Sequence, residues 1–168
     1  MSKYSLESSP STRDDPIAEA KRQWIAHGWE DAATGMAAVT TITRVNRLLV
    51  GRIEVALSPL GLTFARFEIL RLLGFAREGT LPMGKIGDRL QVHPASVTSA
   101  VKRLERDGLI SRSTASHDNR VVLARLLPSG RAVLATATRL VNDVFESLEL
   151  PQEQLEDITT ALAEIRTD

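Results

Sequence analysis

Apolar residues recur every three or four positions along most of this chain, and the places where that rhythm changes divide it into elements. Met36, Val39, Ile42, Leu49, Ile53, Leu57 and Leu60 keep the spacing for about seven turns, interrupted by polar Asn46. The pattern predicts one long helix, with Gly61 where a C-cap glycine belongs. Ahead of it, Asp15-Pro16 has the form of an N-cap carboxylate followed by a first-turn proline. Ile17, Ala20 and Trp24 then share a stripe, and Gly28 ends or bends that helix. After the long helix, Thr63 caps a segment striped by Phe64, Phe67, Leu70 and Leu73, and Arg77–Thr80 reads as a loop. Two short helices follow, over Met83–Leu90 and Pro94–Asp107. Ile86, Leu90, Val97, Val101, Leu104 and Leu109 form the small core between them. His93 is a weak cap for the second, and Gly108 ends it.

The rhythm then shortens. Leu109–Ser113 and Val121–Leu127 alternate in part, which predicts a hairpin with a seven-residue polar tip, Thr114 to Arg120. Pro128 opens a helix to about Leu148, and Pro151 opens the last, striped by Leu155, Ile158, Leu162 and Ile165. The expected fold is mainly α with a small β hairpin, an α+β winged helix-turn-helix over 63–127. Residues 15–35 are an N-terminal helical extension, and 1–14 a disordered tail. Helices in 36–62 and 128–168 carry stripes that would face water in a single chain. A bundle shared between two copies accounts for them most simply, with wrapping onto their own core as the alternative.

Composition narrows the chemistry. Aromatic residues are 4% of the chain against 43% hydrophobic overall, so the core is aliphatic. With no cysteine, disulfides, thiolate metal sites and cysteine-based peroxide sensing are excluded. No apolar run reaches the roughly 18–20 residues that cross a bilayer, and Met1–Asp15 lacks the apolar core of a secretory signal. The expected location is the cytoplasm. Net charge is zero, yet Pro82–Leu127 holds eight basic and four acidic residues, so a basic face is balanced by an acidic remainder. Phosphate binding requires only such a local face. Two short helices and an arginine-tipped hairpin suit the major and minor grooves of DNA.

The residues resemble the MarR family of bacterial transcription regulators. The resemblance rests on Leu104-Glu105-Arg106-Asp107-Gly108-Leu109-Ile110-Ser111-Arg112, then Asp118-Asn119-Arg120, then Leu126-Leu127-Pro128-Ser129-Gly130, with helix order matching from about Met36 onward. It implies a DNA-binding homodimer, with repression the commoner outcome. By resemblance, the second short helix enters the major groove and presents Ser96, Thr98, Ser99, Lys102 and Arg103. Arg120 enters the minor groove, and Asp118 orients an arginine; a turn-forming Asp-Asn pair is the plainer reading of Asp118. Leu127 departs from the family's threonine and forfeits a capping hydroxyl, and Asn119 replaces a frequent arginine.

Such proteins often bind a small aromatic or anionic effector. Trp24, His27 and Trp29 could roof a pocket for one, or could pack the extension onto the dimer. His27, His93 and His117 have no ligand-spaced partners, so no metal and no cofactor are expected. A hydrolase built on His117-Asp118 lacks a glycine-flanked nucleophile, so an enzyme is not expected. The remaining rival is a winged-helix module that binds protein without touching DNA.

Overall fold

The computed structural model describes residues 15–115 and 118–166, with the side chains of residues 118 and 119 outside that description. The expected tail at 1–14 and the tip residues Ser116 and His117 therefore lie outside the described residues. Two compact units divide the chain between Gly51 and Arg52.

The first unit holds helix α1 (Pro16–Ala26) and most of α2 (Glu30–Leu57). Asp15 caps α1 by accepting from the Ile17 N–H at 2.9 Å. Gly28, at φ +83°, makes the elbow in the left-handed region where a side chain would be strained. Helix α2 starts six residues before Met36, since the Glu30–Gly35 turns are helical without an apolar stripe to mark them. The stripe read from the sequence splits. Ile53 and Leu57 are buried in the second unit's core, whereas Val39 and Ile42 are exposed. Val45, Leu48 and Val55 add further exposed apolar surface to the same helix.

The second unit is the winged helix with its flanking helices. Helix α3 (Phe64–Phe75) is capped by Thr63, whose hydroxyl accepts from the Arg66 N–H. Strand β1 (Thr80–Pro82), helices α4 (Met83–Leu90) and α5 (Pro94–Arg106), strands β2 (Ile110–Ala115) and β3 (Asp118–Leu126), and helices α6 (Pro128–Glu146) and α7 (Gln152–Ile165) follow. Leu57, Leu70, Leu73, Ile86, Val101 and Leu104 are fully buried at its centre, an aliphatic core as composition requires.

Three expectations change. The loop at Arg77–Thr80 is a short 3₁₀ turn leading into β1, which pairs with β3 at Thr80↔Arg125, so the hairpin belongs to a three-stranded antiparallel sheet in the order β1-β3-β2. The seven-residue tip is much shorter, because β2 and β3 remain paired out to Ala115↔Asp118. Ladder bonds use backbone groups, so polar Thr114 and Arg120 extend a wing as readily as apolar residues. His93 is also a working cap, its Nδ1 accepting from the Ala95 N–H at 3.2 Å.

Leu127 stands at the N-cap position of helix α6 and supplies no capping side chain. Its first turn is secured from outside instead. The Ser129 hydroxyl donates to the Gly108 carbonyl at 2.6 Å, and the Leu127 N–H donates to the Leu109 carbonyl at 3.0 Å. The missing threonine hydroxyl is thus partly offset by contacts that tie α6 to the turn ending α5. The last helix, α7, leaves Ile158, Leu162 and Ile165 exposed.

Candidate nucleic-acid interface

Helix α5 forms because its sequence satisfies both ends and one side. Pro94 occupies the first turn, His93 caps it, and Gly108 at φ +71° turns the chain away. Val97, Val101 and Leu104 bury one face completely or nearly so. That burial fixes the helix's rotation about its axis, and the opposite face must carry Ser96, Thr98, Ser99, Lys102 and Arg103, all exposed. Helix α4 supports α5 through buried Ile86, and Gln91 at φ +53° makes the tight turn between them.

The five outward residues lie on two flanks and a ridge. Ser96, Ser99 and Arg103 line a concavity of about 460 Å³ that also includes Thr63 and Arg66 at the start of α3. Thr98 lies on the other flank, in a groove of about 520 Å³ shared with the wing residue Arg120. Lys102 lines neither concavity. Thr98 donates its hydroxyl to the Pro94 carbonyl at 2.9 Å, leaving lone pairs available to an incoming donor. The hydroxyls of Ser96 and Ser99 have no partner among the described residues.

Arg120 extends from β3 into the groove beside Thr98, so the structure brings the helix and wing residues together on one concave surface. The backbone of Asp118 pairs with Ala115, and its side chain falls outside the description. Trp24, His27 and Trp29 meet in the first unit. The Trp24 and Trp29 rings stand edge-on with centroids 5.3 Å apart, and His27 stacks on Trp29 at 5.8 Å. His27 Nδ1 lies 2.7 Å from the Gln23 carbonyl, and Trp29 is 54% exposed, so one face of this aromatic group is open.

Several charged residues to which the sequence gives no site role take part as well. Arg112, on β2, donates through Nε and Nη2 to Glu105 Oε2 on α5, at 2.7 and 2.6 Å. The guanidinium and its hydrogen bond hold the Glu105 carboxyl below the usual glutamate range. Arg66 binds Asp107 at 3.2 Å and the Gly61 carbonyl, fastening α3 to the end of α5. Lys85 shares the groove of Arg120. No sequence periodicity signals these partnerships, because they join different elements across turns.

Over residues 62–122 the chain matches the sequence pattern of the MarR family. It is 30% identical over 115 residues to the HTH-type transcriptional repressor Rv2887 of Mycobacterium tuberculosis, covering 66% of this chain and 81% of that protein. Its fold is similar to that of Sco5413, a MarR family transcriptional regulator from Streptomyces coelicolor, with a TM-score of 0.73, 40% identity, and coverage of 79% of this chain and 93% of that one. It is also similar to a cysteine-to-serine variant of Escherichia coli MarR complexed with operator DNA, with a TM-score of 0.69, 25% identity, and coverage of 75% and 91%. With Thr98 of α5 and the wing residue Arg120 on one concave surface, and with relatives this extensive, the chain belongs to the MarR family of transcriptional regulators.

Proposed function

We propose that two copies of this chain bind a palindromic operator, repress transcription in the cytoplasm, and release DNA when a small aromatic or anionic effector binds. The observation that carries the DNA contacts is the outward face of α5. Five hydroxyl or cationic side chains stand there, and one of them shares a groove with Arg120. Arg103 and Lys102 can reach guanine edges or phosphates, the hydroxyls can serve either, and Arg120 suits a narrow minor groove. Asp118 is assigned the orientation of a wing arginine. A protein-binding module would require an apolar or acidic face there, and α5 presents neither.

Pairing of two copies is supported by the uncovered rows on α2 and α7. Val39, Ile42, Val45 and Leu48 in one helix, and Ile158, Leu162 and Ile165 in the other, are more apolar surface than an isolated chain ordinarily leaves in water. Sedimentation at micromolar concentration is expected to give twice the chain mass.

The DNA reading is tested by anisotropy titration of a labelled duplex at several salt concentrations. Association through phosphates weakens steeply and log-linearly with salt, whereas a salt-independent interaction supports the protein-binding alternative.

Two features support effector binding. The open group of Trp24, His27 and Trp29 can accept a planar molecule. In the second unit, Phe64, Phe67, Leu72, Leu90 and Phe145 line a shallow, open pocket of about 220 Å³ whose polar groups are Glu68 and Arg71. Titrating aromatic acids and acyl-thioesters against tryptophan fluorescence tests the first; absence of quenching leaves the tryptophans a packing role.

The pocket also yields a stability prediction. Burial pushes the Glu68 carboxyl above the ordinary glutamate value of about 4.5. A raised carboxyl pKa means the folded state holds its proton more tightly than the unfolded state. Its contribution is therefore most favourable at low pH and is lost as pH rises through the folded value. Glu68→Gln is expected to raise the melting temperature modestly at pH 7, and the gain should shrink as pH is lowered toward 4.5. A gain that is constant with pH would contradict the burial account.

A further inference from the structure

We propose that the groove between α5 and the wing carries the phosphates of one DNA strand, gripped by Lys85 and Arg112, with Glu105 setting the pose of Arg112. This rests on the DNA-binding reading above and adds the residues that hold the backbone. When a helix occupies a major groove and a hairpin the adjacent minor groove, a sugar–phosphate strand lies between them. Whatever protein surface fills that interval faces phosphate rather than bases.

Here the interval is the groove of about 520 Å³. Thr98 of α5 and Arg120, Val121 and Val122 of the wing all line it. Lys85, from the first turn of α4, and Arg112, from β2, line the same groove. Among the described residues the lining holds one carboxylate, Asp88, beside the cations Lys85, Arg112 and Arg120. Lys85 is exposed and has no hydrogen bond or ion pair among the described residues, leaving its ammonium free for a phosphate.

Arg112 is only partly committed. Its Nε and Nη2 both donate to a single oxygen of Glu105, and its side chain retains 32% exposure. A guanidinium has five N–H donors, so others remain for phosphate while the Glu105 contact holds the plane. A side chain already held in place loses less rotamer freedom when DNA arrives. Glu105 is thus a positioning residue, acting through Arg112 rather than touching DNA.

The test is anisotropy titration against salt, with the intact protein and two duplexes: the preferred sequence and a scrambled one. Lys85→Met and Arg112→Met are each expected to reduce the magnitude of the log–log slope by about 0.9 per phosphate contact, weakening both duplexes alike. Glu105→Gln separates positioning from simple charge. Removing an anion near DNA tightens binding if charge is all that matters, whereas lost positioning weakens it several-fold. Near-native melting temperatures are expected for all three variants, because these side chains are at least partly exposed. Unchanged slopes in both cation variants, or tighter binding by Glu105→Gln, would overturn the proposal. A wild-type protein that binds without salt dependence would instead overturn the DNA-binding reading on which it stands.

Discussion

Gly130→Ala is expected to destabilise the protein by about 3 kcal/mol, a cost at the upper end of ordinary overpacking. Gly130 is buried in the first turn of α6. A β-carbon built there would lie 2.1 Å from the Leu109 carbonyl oxygen and 2.7 Å from Leu126 Cδ1. The first of these is backbone, so no rotamer change relieves it. That same carbonyl accepts the Leu127 N–H, and Gly108 next to it accepts the Ser129 hydroxyl. One added methyl therefore pushes apart the junction joining the end of α5, the base of the wing and the start of α6. Thermal melting should show a fall of several degrees or more, and operator binding should weaken because α5 and Arg120 lose their common support. A variant with wild-type melting would mean that α6 is not docked on Leu109 as described.

Arg120→Ala makes the opposite separation, with large loss of binding and little loss of fold. Arg120 is exposed on β3, and substitutions at exposed sites usually change stability by no more than about 0.5 kcal/mol. A charged hydrogen bond is worth roughly 1.5–3 kcal/mol, and a dimer on a palindrome forfeits two of them. Operator affinity is therefore expected to fall by more than about tenfold, each factor of ten being about 1.4 kcal/mol. Sedimentation of the variant should match that of the wild-type protein. Unchanged affinity in a gel-shift titration would remove the wing from DNA recognition.

Helix α5 was legible in the sequence because its evidence is local. Val97, Val101 and Leu104 mark one face, Pro94 marks the start and Gly108 the end, and each signal involves residues within one or two turns. Gly28 and Gly61 are equally readable, and both adopt the positive φ that their positions suggest. Strand β1 was not legible, since three residues are too few to display alternation and its identity comes from pairing with Arg125, Ala124 and Leu123 far along the chain. The start of α2 at Glu30 was missed for a related reason: the Asp31–Gly35 stretch is helical without a full apolar stripe.

The outward surface of α5 divides in the same way. That Ser96, Thr98, Ser99, Lys102 and Arg103 point outward follows from helical spacing alone. Their separation into a flank beside α3 and a flank beside the wing does not, since it depends on where α3 and β3 stand. The Glu105–Arg112 pair spans a turn between two different elements, and the Gly130 contact depends on atoms of Leu109 twenty-one positions earlier. Tertiary contacts of this kind leave no periodic trace.

The central claim is that paired copies present two α5 helices and two wing arginines to one duplex. Selection of bound fragments from a random DNA pool, with the bound species sized, tests it most directly. The account predicts an enriched inverted repeat whose half-site centres lie about one helical turn apart, roughly 10 base pairs, bound by two chains. Recovery of unenriched sequence, or of a single half-site bound by one chain, would contradict it.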